Sequence, residues 1–98
     1  MNNDQFEWDG AKYRRNYRDH GVTFETARNV FADAFRIEVL DEREDYGEDR
    51  WRVIGVVEGQ MLSVVYTERR GRYRLISARR AEKDEQDHYF TQNSQGEA

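Results

Sequence analysis

The chain has 98 residues, 37% hydrophobic and 37% charged, with mean hydropathy -1.13 and a formal net charge of -4. That is enough for one compact domain with an economical, aromatic-heavy core, and too little for two independent halves. The absence of cysteine excludes a disulfide framework, thiolate metal sites and a cysteine nucleophile, and no stretch approaches the roughly 20 apolar residues that cross a bilayer.

The opening MNNDQFEWDG lacks a basic segment followed by an apolar one, so the expectation is a soluble, unexported, cytoplasmic protein with no membrane partner. FEW at 6–8 predicts a short edge strand. Asp9 then supplies an N-cap for a helix through AKYRRNYRD, stopped by Gly21. Thr23 is a second N-cap, and FETARNVFA spaces Phe24, Ala27, Val30 and Phe31 at i, i+3, i+6 and i+7, which predicts one inward apolar stripe.

From about residue 36 the period becomes two. FRIEVLD, WRVIGVVE, MLSVVYTE and RYRLISA are β-branched or aromatic runs separated by DEREDYGEDR, EGQ and RRGR. Four successive strands on short loops predict an antiparallel meander. RRAEKDEQDHYF, with Ala81, Glu85 and Tyr89 four apart, predicts a closing helix, and 91–98 reads as a flexible polar tail. The expected fold class is α+β in the order β-α-α-β-β-β-β-α, one domain over 6–90. Its helices pack on one face of an antiparallel sheet whose other face stays partly open.

The chemistry concentrates at 68–80, ERRGRYRLISARR, which holds six arginines in an acidic chain. Strict alternation in the last strand sends Arg72, Arg74, Ile76 and Ala78 to one side and Tyr73, Leu75, Ser77 and Arg79 to the other, so only a subset of the arginines converges. One reading is that arginines protect strand edges and pair with nearby acids. The other is that guanidinium forks mixed with Tyr66, Thr67 and Tyr73 grip phosphates and stack bases of single-stranded RNA.

Two histidines are present. His20, at the end of the first helix, suits a dipole-stabilised cap or a proton-transfer role, and His88 reads as a surface residue. Neither has companions at zinc-ligand spacing, and in DEREDYGEDR a tyrosine precedes Gly47 where a calcium loop needs an oxygen ligand. No metal or cofactor is expected. Phosphate-cradling glycine loops and G-x-S-x-G are also missing, which leaves metal-free chemistry by Arg, Tyr, Thr, Glu or His.

The strings FEWDGAKYRRNYRDHGVTFETARNVFAD, EDRWRVIGVV, VVYTERRGRYRLISARRAEKDE and DHY, in that order over about 6–90, resemble the BrnT family of type II toxins. The resemblance implies a compact RelE-like ribonuclease fold and an RNA-cleaving, growth-inhibiting toxin. It also implies a BrnA-like ribbon-helix-helix antitoxin, with operator DNA bound only through the antitoxin complex. By position, the hairpin-arm motif falls on Tyr66, Thr67 and Arg69, and the junction motif on Ser77, Arg79 and Ala81. The amino-terminal pattern falls on Trp8, Asp9, Lys12, Asn16 and His20. Many relatives carry histidine where this chain has Tyr66, so Tyr66 and His20 are both candidates for proton transfer, with Thr67 orienting the phosphate. The resemblance also makes Arg69 and Arg79 the candidates for stabilising charge on that phosphate, and Arg74, Arg80, Ser77 and Lys12 the candidates for binding the substrate. The rival expectation is a non-catalytic subunit that binds nucleic acid or protein through the same basic patch.

Overall fold

The computed structural model describes residues 5–42 and 47–94. Five strands make one sheet: β1 (Phe6–Trp8), β2 (Ile37–Leu40), β3 (Trp51–Val57), β4 (Gln60–Arg69) and β5 (Arg72–Arg80), in the spatial order β1-β5-β4-β3-β2. Strands β2 to β5 form the expected antiparallel meander. β1 corrects it, because it lies parallel to β5 at the far edge, with Phe6 opposite Tyr73 and Trp8 opposite Leu75. The sheet is therefore mixed. Chain leaving β1 runs through helices and re-enters at the opposite edge as β2, so no tight hairpin forces β1 to be antiparallel to its neighbour.

Helix α1 (Gly10–His20) has the boundaries its caps dictate. The Asp9 carboxylate accepts from Lys12 N, and Gly21 takes a left-handed φ of 70°. The second helix is shorter than the apolar stripe predicts: α2 covers Phe24–Ala27 and then tightens into a 3-10 turn over Arg28–Ala32. Phe24, Ala27 and Val30 are three apart, which is the spacing that stacks side chains in a 3-10 turn, and all three are fully buried. They pack on Val53, Leu62, Val64, Leu75 and Ala78 of the sheet, closed by Phe6 and Trp8. Phe31 stacks on Tyr73 with ring centroids 4.4 Å apart.

Helix α3 (Lys83–Ser94) supplies a second correction. It packs on the other face of the sheet, where Tyr89 and Ala81 meet Ile54, Ile37 and Met61, so helices occupy both faces. Ile54 and Val53 are neighbours in β3 and point to opposite faces, which explains why one strand serves two apolar clusters. The Tyr89 hydroxyl donates to Asp33 Oδ2 at 2.8 Å, and the same oxygen accepts from Val56 N. α3 also extends to Ser94, past the expected start of the polar tail, because Asn93 Nδ2 donates to Phe35 O and Tyr89 O. Of the expected tail, 95–98 lies outside the described residues, as does 43–46 of the expected acidic hairpin loop.

Candidate active site

The arrangement of the arginines depends on one irregularity. Ser77 opposes Val65 across the β4–β5 ladder, but Leu75 opposes Tyr66, which leaves Ile76 without a partner. An extra residue in one strand inverts every side chain beyond it. Arg72, Arg74, Ser77 and Arg79, which strict alternation divides between two faces, therefore share one, opposite Arg69, Thr67, Val65 and Ser63 of β4. The same slip brings Leu75 and Ala78, three apart, into one core.

At the α3 end of this row Arg79 is held by Glu85, with Nη1 2.8 Å from Oε1 and Nη2 3.0 Å from Oε2. Glu85 also accepts from Glu82 N and from the buried Ser63 hydroxyl, and lies 3.6 Å from Arg52, which itself donates to Ser63. Arg52 faces Asp41 at 4.0 Å on its other side. Burial raises the Glu85 carboxyl, but Arg79, the Glu82 N–H and Arg52 outweigh it, and the net effect is a lowered pKa. The carboxylate therefore stays charged and fixes the fork of Arg79 in one plane. Composition did not single out Arg52 or Glu85. The available signal was an arginine inside the apolar run WRVIGVV, where only a paired charge is stable.

Beside the middle of the row, α1 crosses the exposed edge of β5. Asn16 locks it there: its amide nitrogen donates to Ala78 O and Val22 O, and its oxygen accepts from Ala78 N, each at 2.9 Å. This leaves a hollow of about 230 Å3 lined by Lys12, Arg15, Asn16, Asp19, His20, Ile76 and Ser77. Lys12 and His20 lie one and three helical turns into α1, on the side that faces β5. Three expected site residues, Lys12, His20 and Ser77, are thus brought together next to the arginine row.

Other expected residues are not. Tyr66 belongs to the opposite face, as its neighbour Thr67 already requires, and is packed among Phe31 and Tyr73. Its hydroxyl donates to Glu38, and burial and that carboxylate push its pKa up. The expectation that Tyr66 works beside Arg69 and Arg79 is therefore corrected by simple strand alternation. Thr67 is on the arginine face, but its hydroxyl is engaged with Asp49 O at 2.6 Å. Arg80 opposes Leu62 and projects away from the row, lining a separate hollow with Gln60 and Phe90. Arg69 and Arg79 sit at opposite ends of the row: Arg69 to Ser63 is six residues of β4, about 20 Å at the usual strand rise, so they do not hold one phosphate together. Arg74 lies between them and pairs with Glu7 at 2.6 Å.

Fold and site define a small α+β protein that presents guanidinium groups in line on one sheet face, with a histidine and a lysine at its edge. The chain belongs to the BrnT family: the family described as "Ribonuclease toxin, BrnT, of type II toxin-antitoxin system" matches residues 8–85. That membership makes it a toxin of a type II toxin-antitoxin pair, in a family of ribonucleases, with RNA as target and an antitoxin as partner. No curated protein matches the chain. Among the described residues no three His, Asp or Glu side chains are grouped to hold a metal ion, and no helix is long and apolar enough to cross a membrane.

Proposed function

We propose that the protein is a metal-independent endoribonuclease whose scissile phosphate lies where the Lys12–His20–Ser77 hollow meets the arginine row. The observation that carries this reading is the single extra residue in β5, which aligns Arg74, Ser77 and Arg79 beside that hollow. The ribose 2′-hydroxyl attacks the adjacent phosphorus while His20 takes its proton. A 2′,3′-cyclic phosphate forms, and the 5′-oxygen leaves with a proton from water. Lys12 and Arg79 carry the charge that develops on the nonbridging oxygens, and Ser77 donates to one of them. Glu85 keeps Arg79 in position.

The antitoxin is a ribbon-helix-helix protein of the BrnA type that neutralises the toxin by covering the same cationic face, a fit favoured by charge complementarity. Operator DNA is bound through that complex, and RNA cleavage stops translation and growth. The carboxylates already held by Arg74 and Arg79 favour one alternative, a non-catalytic binding subunit with structural arginines.

Incubating the purified chain with single-stranded RNA in excess chelator separates the two. Cleavage that Arg79→Ala lowers by about 10²–10³ in kcat, with the fold intact by circular dichroism, supports the ribonuclease. Salt-sensitive binding without scission supports the alternative. Undiminished cleavage by the antitoxin complex contradicts occlusion.

A further inference from the structure

The tip of the β4–β5 hairpin is built at a cost to stability. Its two turn residues are Arg70 and Gly71, with φ of 54° and 77°, the primed geometry that suits a right-twisted hairpin. Arginine at a left-handed position is disfavoured where glycine or asparagine fits without strain. The turn also sets Arg69 directly opposite Arg72, and like charges facing each other across a ladder are destabilising. Local stability does not account for three arginines here.

They do line a cleft of about 620 Å3 between the hairpin and the start of α1, together with Arg74, Glu7 and Asp9. Arg74 is neutralised by Glu7, and Arg69 lies 3.8 Å from Glu48. Arg70 and Arg72 form no ion pair among the described residues. Asp9 is committed to capping α1. Four guanidinium groups thus face three carboxylates, Glu7, Asp9 and Glu48, each already engaged, which leaves Arg70 and Arg72 in an open, polar cleft at the positive end of a helix dipole. Trp8, at the floor, is buried in the core and packed on Phe24, so it offers no ring for a base to stack on. The chemistry of the cleft is that of a phosphate grip without base preference.

We propose that this cleft is a second phosphate subsite, which holds the backbone of single-stranded RNA beyond the nucleotide next to the bond that is cleaved. The inference rests on the ribonuclease reading of the Lys12–His20–Ser77 hollow. The cleft lies at the Arg69–Arg72 end of the row, and Ser77, at the edge of the hollow, opposes Val65, four residues of β4 from Arg69 and about 13 Å along the strands. That separation spans more than one nucleotide step, so the subsite discriminates by length: a dinucleotide reaches one grip and a hexanucleotide reaches both.

Binding of non-cleavable 2′-O-methyl oligonucleotides to the full chain, free of antitoxin and followed by fluorescence anisotropy, tests this. For the wild-type chain the hexanucleotide binds more tightly than the dinucleotide. In Arg70→Ala/Arg72→Ala the hexanucleotide loses about tenfold in affinity, and the slope of log K against log salt becomes shallower by about 0.7 for each phosphate the variant no longer neutralises. The ratio of hexanucleotide to dinucleotide affinity falls in step. An unchanged ratio and slope overturn the proposal, as does a loss confined to an acidic peptide competitor, which would make the cleft a protein-docking site. Arg70→Gly alone, which suits the turn, guards against a hairpin that unravels and is expected to reproduce part of the loss. Because the oligonucleotides cannot be cleaved, the outcomes separate. A chain that shows the length dependence yet never cuts RNA keeps the subsite and loses the ribonuclease. Cleavage indifferent to length does the reverse.

Discussion

Replacing Glu85 by glutamine removes the anion that joins α3 to Arg79, Arg52 and Ser63. The glutamine side chain has one acceptor in place of two, so it cannot receive both nitrogens of Arg79, and its amide turns a donor toward a cation. Removing one partner from a fully buried pair costs about 3–5 kcal/mol. Here the value is smaller, because Arg79 reaches water and has Glu82 at 3.8 Å, and Arg52 retains Asp41 at 4.0 Å. A destabilisation of about 2–3 kcal/mol at neutral pH follows. Urea denaturation measures it as a lower midpoint at constant m. The pH dependence gives a sharper check. The folded pKa of Glu85 lies below the ordinary 4.5, so its contribution is complete above that value and is lost as pH falls through the folded pKa. The glutamine variant has nothing to lose in that window, so the gap between the two proteins narrows as pH falls below the ordinary carboxyl value of 4.5. A gap below about 0.5 kcal/mol at neutral pH, or one that is the same in acid, would refute the hub role given to Glu85.

Three further outcomes are expected. His20→Ala lowers kcat for RNA cleavage by about 10²–10⁴, the range of a lost general base; an undiminished kcat in a correctly folded variant takes His20 out of proton transfer. Asn16→Ala leaves the Ala78 N–H and C=O unpaired where α1 crosses β5, and costs about 2–4 kcal/mol by thermal or urea unfolding, whereas a loss under about 1 kcal/mol means that water replaces the carboxamide. Gly55→Ala places a Cβ 3.2 Å from Val30 O and 3.4 Å from Asp33 Oδ2, and lowers stability by about 1–3 kcal/mol; a neutral substitution would show that the 3-10 turn yields.

Asp33 shows why some of the packing is hidden from a reading of local pattern. Burial raises its carboxyl, but the N–H groups of Val56 and Phe35, the Tyr89 hydroxyl and Arg36 more than compensate, and the net pKa is lowered. Tyr89 is pushed up to about 12 by burial and by its bond to Asp33. An acid at 33 and a tyrosine at 89 carry no mark of each other in sequence. Their pairing anchors α3 to the far end of the sheet and decides which face that helix covers.

Caps, turns and the strand runs of the meander were legible along the chain because each is a local matter of backbone conformation and hydrophobic period. Asp9, Thr23 and Gly21 fix the helix ends, and the two-residue turns fix successive hairpins. The density of arginine at 69–80 was equally visible. Where those arginines point was not, since a period of two predicts faces only while the ladder is regular. The extra residue at Ile76 is set by how β5 accommodates β4 and the core, a long-range compromise that leaves no local signature. Tertiary structure alone therefore decided that Arg79 joins Arg72 and Arg74 on one face, and that a glutamate from the last helix holds one end of the row.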